Sequence, residues 1–313
     1  MKRLIIHGSK FLLATAVLYV LAFFALTRIR YQGKPVIYRT NDYYQTKGGV
    51  SYTKFKDWAD GAGYDVVVIG SSHAYRGYDP RIFRERGYRM FNMGSSAQSP
   101  LSTYAVLQGY VTRERAPLLV IDTYENAFDH PGTESVSDLT RNMDDDRAAL
   151  SLAASFRDLR GLNMFTLRML DKGSAASWEH KQYVGNGAAI SPDSARADLK
   201  YPTARPFHVD QRQLERFIDC LDLCDERGIR VVLCSHFYPR QGGFARHEAF
   251  RTLMDSVLAL RPQRPEWFDF AETPGVDDHD HFCDHNHLNE AGARLFGGML
   301  VDSLVVHGYL PAH

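Results

Sequence analysis

Cysteine is scarce in this chain: Cys220, Cys224, Cys234 and Cys283 are the only four in 313 residues. Their spacings lack the paired CxxC of zinc ribbons, and four thiols in so long a chain are too few for a disulfide framework. Cys220 and Cys224 stand one helical turn apart, which favours a shared buried face over a disulfide. Net charge is also missing. The 37 Lys and Arg residues balance 37 Asp and Glu residues, so no global excess of one sign can condense on phosphates, and no nucleic-acid partner is expected. No internal repeat or low-complexity tract occurs, and 44% hydrophobic with 12% aromatic residues excludes disorder and collagen-like structure. The length suits one large domain or two small ones.

The mean hydropathy of −0.32 is that of a soluble protein, yet one apolar run departs from it. Phe11 to Leu26 is sixteen residues without a charge, about 24 Å as a helix against a hydrocarbon core of ~30 Å. Thr27 and the snorkelling stems of Lys10 and Arg28 supply most of the difference. Lys2 and Arg3 form a basic leader, so a cleaved signal peptide and a buried core helix are the alternatives to a retained anchor. The anchor, residues 11–27, is preferred, because the run exceeds a usual signal core and leads directly into Thr27-Arg28-Ile29-Arg30 with no small-x-small cleavage site. Basic residues flank both ends, so charge alone does not orient the span. The short tail 1–10 is easily retained, giving a single-pass protein with a cytoplasmic N-terminus and an extracytoplasmic body, periplasmic or on the outer face.

Residues 28–62 are rich in Tyr, Lys and Gly without a sustained period and read as a stalk or collar. Regular structure is expected from residue 63 to 313. Asp65-Val-Val-Val-Ile69, bounded by Gly63 and Gly70, has the pattern of a strand buried on both faces. Similar runs occur at 89–93, 118–122, 230–234 and 266–269. Helical patterns lie between them at 80–86, 102–115, 211–227 and 245–260, so a parallel α/β sheet covered on both faces is expected. A last helix follows, with Leu288, Ala291, Leu295, Phe296 and Met299 as its apolar stripe. Residues 123–208 form a long insertion, with a helix over 147–170 begun by the acidic triplet Asp144-Asp-Asp146. Connections of that length commonly serve as lids or binding segments.

Ligands on open parallel sheets bind beyond the carboxyl ends of the strands. The first strand ends in Gly70-Ser71-Ser72-His73, a strand-to-helix turn that exposes a hydroxyl beside backbone donors, as acyl transfer requires. Near the other end, Asp284-His285-Asn286-His287 precedes the last helix. An Asp three positions before a His can hold one ring nitrogen and leave the other to take a hydroxyl proton. The Gly-x-Ser-x-Gly elbow of the α/β-hydrolases is absent.

These residues, Val66-Val-Val-Ile-Gly-Ser-Ser-His73, Phe91-Asn-Met-Gly94 and Asp284-x-x-His287-Leu-Asn, together resemble the SGNH (GDSL-type) hydrolase superfamily. The leader makes the chain similar to membrane-anchored members of cell-envelope O-acylation, such as the alginate-acetylation and D-alanine-transfer proteins. The resemblance covers roughly residues 64 to 306. It implies a three-layer α/β/α fold with a five-stranded parallel sheet, Ser72 as nucleophile, His287 as base and Asp284 as its orienting acid. It also implies an oxyanion hole from the amides of Ser72 and Gly94. Family members usually complete that hole with a Gly-x-Asn-Asp block after the third strand; here Asp122-Thr-Tyr-Glu-Asn126 stands instead, out of register, with Asn126 as substitute.

Gly94-Ser95-Ser96 repeats the Gly-Ser-Ser pattern, so Ser96 competes with Ser72. His73, Gln98, His236 and Tyr238 are candidate substrate contacts. Residues 277–287 pack four His, four Asp and one Cys, types that suit a divalent metal. That loop lacks a helical His-x-x-x-His with a third ligand, so no metal and no cofactor is expected. The function expected is a membrane-anchored extracytoplasmic serine esterase or O-acyltransferase acting on acyl groups, acetyl foremost, of an envelope or secreted polysaccharide. The partners are then a carbohydrate or acyl-ester substrate and, through the resemblance alone, a membrane-bound acyltransferase. The alternatives are a non-catalytic glycan-binding or assembly protein on a degraded fold, and a metal-dependent hydrolase built on 277–287.

Overall fold

The computed structural model describes residues 1–171, 180–196, 198–201 and 205–312. The chain runs through α1 (Lys2–Arg28), α2 (Gly49–Asp60), β1 (Val66–Ile69), α3 (Ser72–Gly77), α4 (Pro80–Glu85), β2 (Met90–Asn92), α5 (Pro100–Tyr110) and β3 (Leu118–Asp122). It continues with α6 (Thr133–Asn142), α7 (Asp146–Ser155), α8 (Leu159–Leu170), α9 (Gln211–Arg227), β4 (Arg230–Ser235), α10 (Ala245–Leu258), β5 (Glu266–Asp269) and α11 (Glu290–Val306). Strands β1 to β5 form one parallel sheet in the order β2-β1-β3-β4-β5. Two short antiparallel ribbons accompany it, Arg30–Tyr31 with Lys34–Pro35 after α1 and Tyr183–Gly185 with Ala188–Ala189 in the insertion.

Alternation along the strands divides the core in two. Val67, Ile69, Phe91, Leu119 and Ile121 face one side, with Phe55 and Trp58 of α2, Leu101 and Val106 of α5, and Phe217 and Leu221 of α9. Val66, Val68, Met90, Leu118 and Val120 face the other, with Ala74, Tyr78 and Phe83 and with Phe296, Leu300 and Leu304 of α11. The result is an α/β/α sandwich. Cys220 and Cys224 lie on the buried face of α9, and all four cysteines are free thiols.

Three expectations need correction. The supposed collar contains α2, whose Val50, Lys54, Phe55 and Trp58 are buried; their helical spacing is concealed by a low average hydrophobicity. The helix expected over 147–170 is two helices, because Arg157 takes a positive φ of 56° and Asp158 caps a new start through the Arg160 amide. In α11 the buried stripe is Ala293, Phe296, Leu300, Val301 and Leu304, while Ala291 and Leu295 are exposed. The helix begins only at Glu290, so a period counted from Leu288 starts in non-helical backbone. The acidic triplet does open α7: Asp145 accepts from the Arg147 and Ala148 amides.

Helix α1 is long and apolar enough to cross a membrane. Its Leu12, Leu13, Leu18 and Leu21 side chains are exposed. Only near its C-terminal end does it meet the domain, where Phe23 packs with Ile37 and with Leu167 of α8.

Candidate active site

The segment after β1 turns sharply because Gly70 has no side chain: a Cβ there would meet the Asp122 Cβ at 2.6 Å. Ser71 is the N-cap of α3, its Oγ accepting from the His73 amide at 3.3 Å. That employment distinguishes the two serines. Ser72 opens the helix, where its amide has no preceding helical carbonyl to bond, and its hydroxyl points to His287, with Oγ to Nε2 at 2.8 Å.

His287 and Asp284 arrive on the loop between β5 and α11. Phe282 and Leu288 anchor the loop in the core, the Cys283 amide donates to the His287 carbonyl at 2.9 Å, and Asn289 caps α11 through the Gly292 amide at 2.9 Å. Within this frame, His287 Nδ1 lies 2.8 Å from Asp284 Oδ2. Asp284 Oδ1 also accepts from the Asn286 and His287 amides at 3.0 and 2.9 Å. Partial burial pushes this carboxyl up, but the His287 hydrogen bond and charge, then the two amides, outweigh it and hold it well below the usual carboxylate range. A carboxylate only accepts, so the proton between the pair belongs to Nδ1, and the Nε2 lone pair is left to receive the Ser72 hydroxyl. The three residues form a continuous relay.

Beside the relay stand two stacked imidazoles. His73 lies between Tyr124, ring centroids 3.7 Å apart, and His236, 4.2 Å apart. It crosses the His287 ring edge to face at 5.6 Å. Burial, then the neighbouring His236, His287 and His285 rings, lower the His73 pKa well below the ordinary histidine value, and burial lowers that of His236 to about 4. His236 Nδ1 donates to the Phe237 carbonyl at 2.6 Å. Both ring nitrogens of His73 and Nε2 of His236 are buried without a partner. Below them Asp122 is also buried, its pKa pushed up to about 8 by desolvation despite the Tyr78 hydroxyl 2.9 Å away.

A cavity of ≈ 380 Å³ adjoins this group. His73, Tyr124, Tyr238, Phe244, Arg246 and Asn286 are among its walls. Ser72 and His287 are not on the wall, but their chain neighbours His73 and Asn286 are. The Tyr238 hydroxyl donates to buried Glu125 at 2.7 Å, and Arg246 is held by Asp129 and by Asn126 Oδ1.

Several expected roles do not fit. Gln98 is buried in its own loop, accepting from Ser95 at 2.7 Å and donating to Thr103 at 3.1 Å, so it contacts no ligand space. The Ser96 hydroxyl is bonded to Glu134. The Gly94 amide donates to Asn92 Oδ1 at 3.0 Å, and the residue is glycine because a Cβ would meet Ala74 at 2.6 Å and the Ser71 carbonyl at 3.0 Å. Asn126 Nδ2 is bonded to the Tyr124 hydroxyl. Of the three expected oxyanion donors, the Ser72 amide is the one without a hydrogen-bond partner among the described residues. In the 277–287 loop, Asp277 accepts from the His279 and Asp280 amides and His279 bonds the Ala195 carbonyl. Among the described residues no three His, Cys, Asp or Glu side chains gather as a metal site. The residues not anticipated are Tyr124, Asn286 and Arg246 at the cavity, and Lys54, whose ammonium donates to the Gly94 carbonyl at 2.6 Å from beneath. Tyr124 and Asn286 sit within segments already singled out, while Arg246, at the start of α10, carries no sequence signal.

No family model and no curated protein matches the chain. Among solved structures, a GDSL-like lipase from Bacteroides thetaiotaomicron aligns with 83% of this chain and 98% of its own, at 10% identity and a TM-score of 0.42. An acetyl xylan esterase from the rumen bacterium Butyrivibrio proteoclasticus aligns with 78% of this chain and 64% of its own, at 8% identity and a TM-score of 0.36. Likeness at these values is too distant to carry an argument about chemistry, which rests on the geometry above.

Proposed function

We propose that this chain is a serine esterase or O-acyltransferase of the SGNH type, anchored by α1 with its α/β/α domain outside the cytoplasm. The observation that carries the reading is the relay Ser72–His287–Asp284, with both contacts at 2.8 Å. His287 Nε2 removes the Ser72 proton as Oγ attacks the ester carbonyl, and the Ser72 amide stabilises the oxyanion. The alkoxide leaves with the proton from His287, and an acyl-serine remains. Water or a sugar hydroxyl then gives its proton to His287 and takes the acyl group, which returns the hydroxyl to Ser72. Asp284 orients the imidazole and stabilises the imidazolium.

The substrate proposed is an acyl group, acetyl foremost, on an envelope or secreted polysaccharide, with a membrane-bound acyltransferase as partner. The exposed apolar helix and the aromatic cavity wall support this assignment. The test is labelling of the detergent-purified chain with a fluorophosphonate probe. Wild type and Ser71→Ala should label, whereas Ser72→Ala and His287→Ala should not. Labelling that survives Ser72→Ala overturns the nucleophile. An unlabelled, folded wild type favours the non-catalytic glycan-binding reading.

A further inference from the structure

Three buried polar atoms, on two residues of the cavity wall, have no hydrogen-bond partner among the described residues, although both residues stand next to the relay. His73 is 2% exposed with both ring nitrogens unbonded, and Asn286 Oδ1 is likewise buried and unbonded. A buried polar group left without a partner is destabilising, so a ligand group that pairs with it is favoured there. His73 is pinned on both ring faces by Tyr124 and His236, so it cannot swing toward a partner elsewhere.

The two groups are complementary. Neutral imidazole offers one N–H donor and one lone pair, and the amide oxygen only accepts. A hydroxyl group satisfies both, accepting from His73 and donating to Asn286. We propose that His73 and Asn286 form the acceptor subsite of this enzyme, holding one hydroxyl of a neutral, ring-sized polyol, a sugar residue, so that a neighbouring hydroxyl of the same ring is free to give its proton to His287 and attack the acyl-serine. The proposal rests on the esterase reading and deepens it toward transfer.

Three features favour a sugar over water alone. The ≈ 380 Å³ cavity lies within the ~300–1,000 Å³ of small-molecule sites. Tyr124, Tyr238 and Phe244 give it aromatic surfaces for the apolar faces of a pyranose. Its nearby charged groups already have partners, Glu125 the Tyr238 hydroxyl and the His247 ring 3.6 Å away, and Arg246 the Asp129 carboxylate, while Arg205 stands at an exposed rim. The reach also suits the chemistry. His73 lies edge to face with the His287 ring, centroids 5.6 Å apart, so a sugar bound at His73 has its neighbouring hydroxyls beside the base. In the transfer step the acceptor O–H breaks, its proton passing to His287 Nε2, and the acceptor oxygen bonds the acyl carbon. The acyl–Oγ bond then breaks, and the proton moves from His287 to Ser72 Oγ.

The test uses the full chain in detergent with p-nitrophenyl acetate as donor and the methyl glycosides of glucose, galactose and mannose as acceptors, glucuronate methyl glycoside being the charged control. Wild type should yield acetylated neutral glycoside in preference to the charged one. His73→Phe, which keeps the stack but removes both nitrogens, should lower acceptor-dependent product at least tenfold relative to its own p-nitrophenol release. His73→Gln, which restores a donor, should recover part of it. Equal product partition in wild type and His73→Phe overturns the proposal, as does preference for the charged acceptor. Calorimetric binding of the neutral glycosides to Ser72→Ala, lost in Ser72→Ala/His73→Phe, tests the subsite even if wild type neither labels nor turns over. Absence of such binding also overturns it.

Discussion

Replacement of Asp284 by Asn isolates what the carboxylate does, because the side chain keeps its shape. Asp284 Oδ1 accepts two backbone amides, from Asn286 and His287 at 3.0 and 2.9 Å, and an Asn carbonyl oxygen in that place preserves both. The amide nitrogen then occupies the Oδ2 position, 2.8 Å from His287 Nδ1, and presents a donor where an acceptor is required. The imidazole responds by moving its proton to Nε2. In that tautomer it donates toward Ser72 and cannot act as base. Loss of an orienting carboxylate in a buried triad costs about 10⁴ in kcat. Here the Asp284 side chain is 34% exposed, so water can satisfy part of the altered pair and the expected loss is about 10³, or about 4 kcal/mol of transition-state stabilisation. The assay is p-nitrophenyl acetate turnover together with thermal unfolding. The Tm of Asp284→Asn should stay close to wild type, since the turn amides keep their acceptor. A fall in kcat of less than tenfold would refute the tautomer argument, and a parallel collapse of Tm would show that the turn, not the proton, was lost.

Asn126→Ala should lower kcat less than tenfold, because both ends of that amide are committed to Tyr124 and Arg246; a loss near the 10²–10³ of a true oxyanion donor would restore it to the hole. Gly94→Ala should destabilise by about 1–3 kcal/mol and lower labelling of Ser72, because its Cβ is driven into Ala74 and the Ser71 carbonyl; an unchanged Tm with full labelling would show that the turn yields. Burial lowers the His247 pKa, but the Asp269 carboxylate bonded to Nε2 at 3.0 Å and the Glu125 carboxylate 3.6 Å from Nδ1 raise it further, to about 9 from 6.5. A raised pKa gives stability that is present in full below about pH 6.5 and lost as pH climbs through about 9, so the denaturant-measured cost of His247→Gln should be larger at pH 6 than at pH 10 by about 3 kcal/mol; a cost independent of pH would refute the ion-pair account.

The fold was legible where burial on both faces leaves no alternation to misread. Val66 to Ile69 and Leu118 to Asp122 are continuous apolar runs because helices cover both sides of the sheet, and Gly70 marks the turn that ends the first of them. It was illegible where burial is bought with polar side chains. Helix α2 presents Ser51 and Lys54 on its buried face, Ser51 bonding Asp138 and Lys54 bonding the Gly94 carbonyl, so its pattern reads as a solvated stalk. A buried lysine contributes to the average as a surface residue does, and only the tertiary partner distinguishes the two. Burial lowers its pKa to about 8 even with Asp138 near. The two ends of the relay share this contrast: Asp284 and His287 are three residues apart and find one another through a local turn, whereas Ser72 and His287 are joined only by the sheet.

The oxyanion donors show why residue type and register do not suffice. Gly94 stood at the expected strand end and Asn126 was the right type out of register, yet each has its N–H committed to a nearer partner, Asn92 and Tyr124. A donor's availability depends on competition among neighbours within about 3 Å, and sequence position does not record that competition. His73 is the opposite case. Its position beside the nucleophile made it a candidate, but the informative property is the absence of any competitor: Tyr124 and His236 cover its faces and leave both nitrogens without a protein partner. Burial disfavours the imidazolium, so a neutral donor persists there at the pH where His287 must also be neutral to act as base. The proposed nucleophile, base and acceptor contact are therefore served by a neutral His73, and protonating it would replace its acceptor lone pair with a second donor.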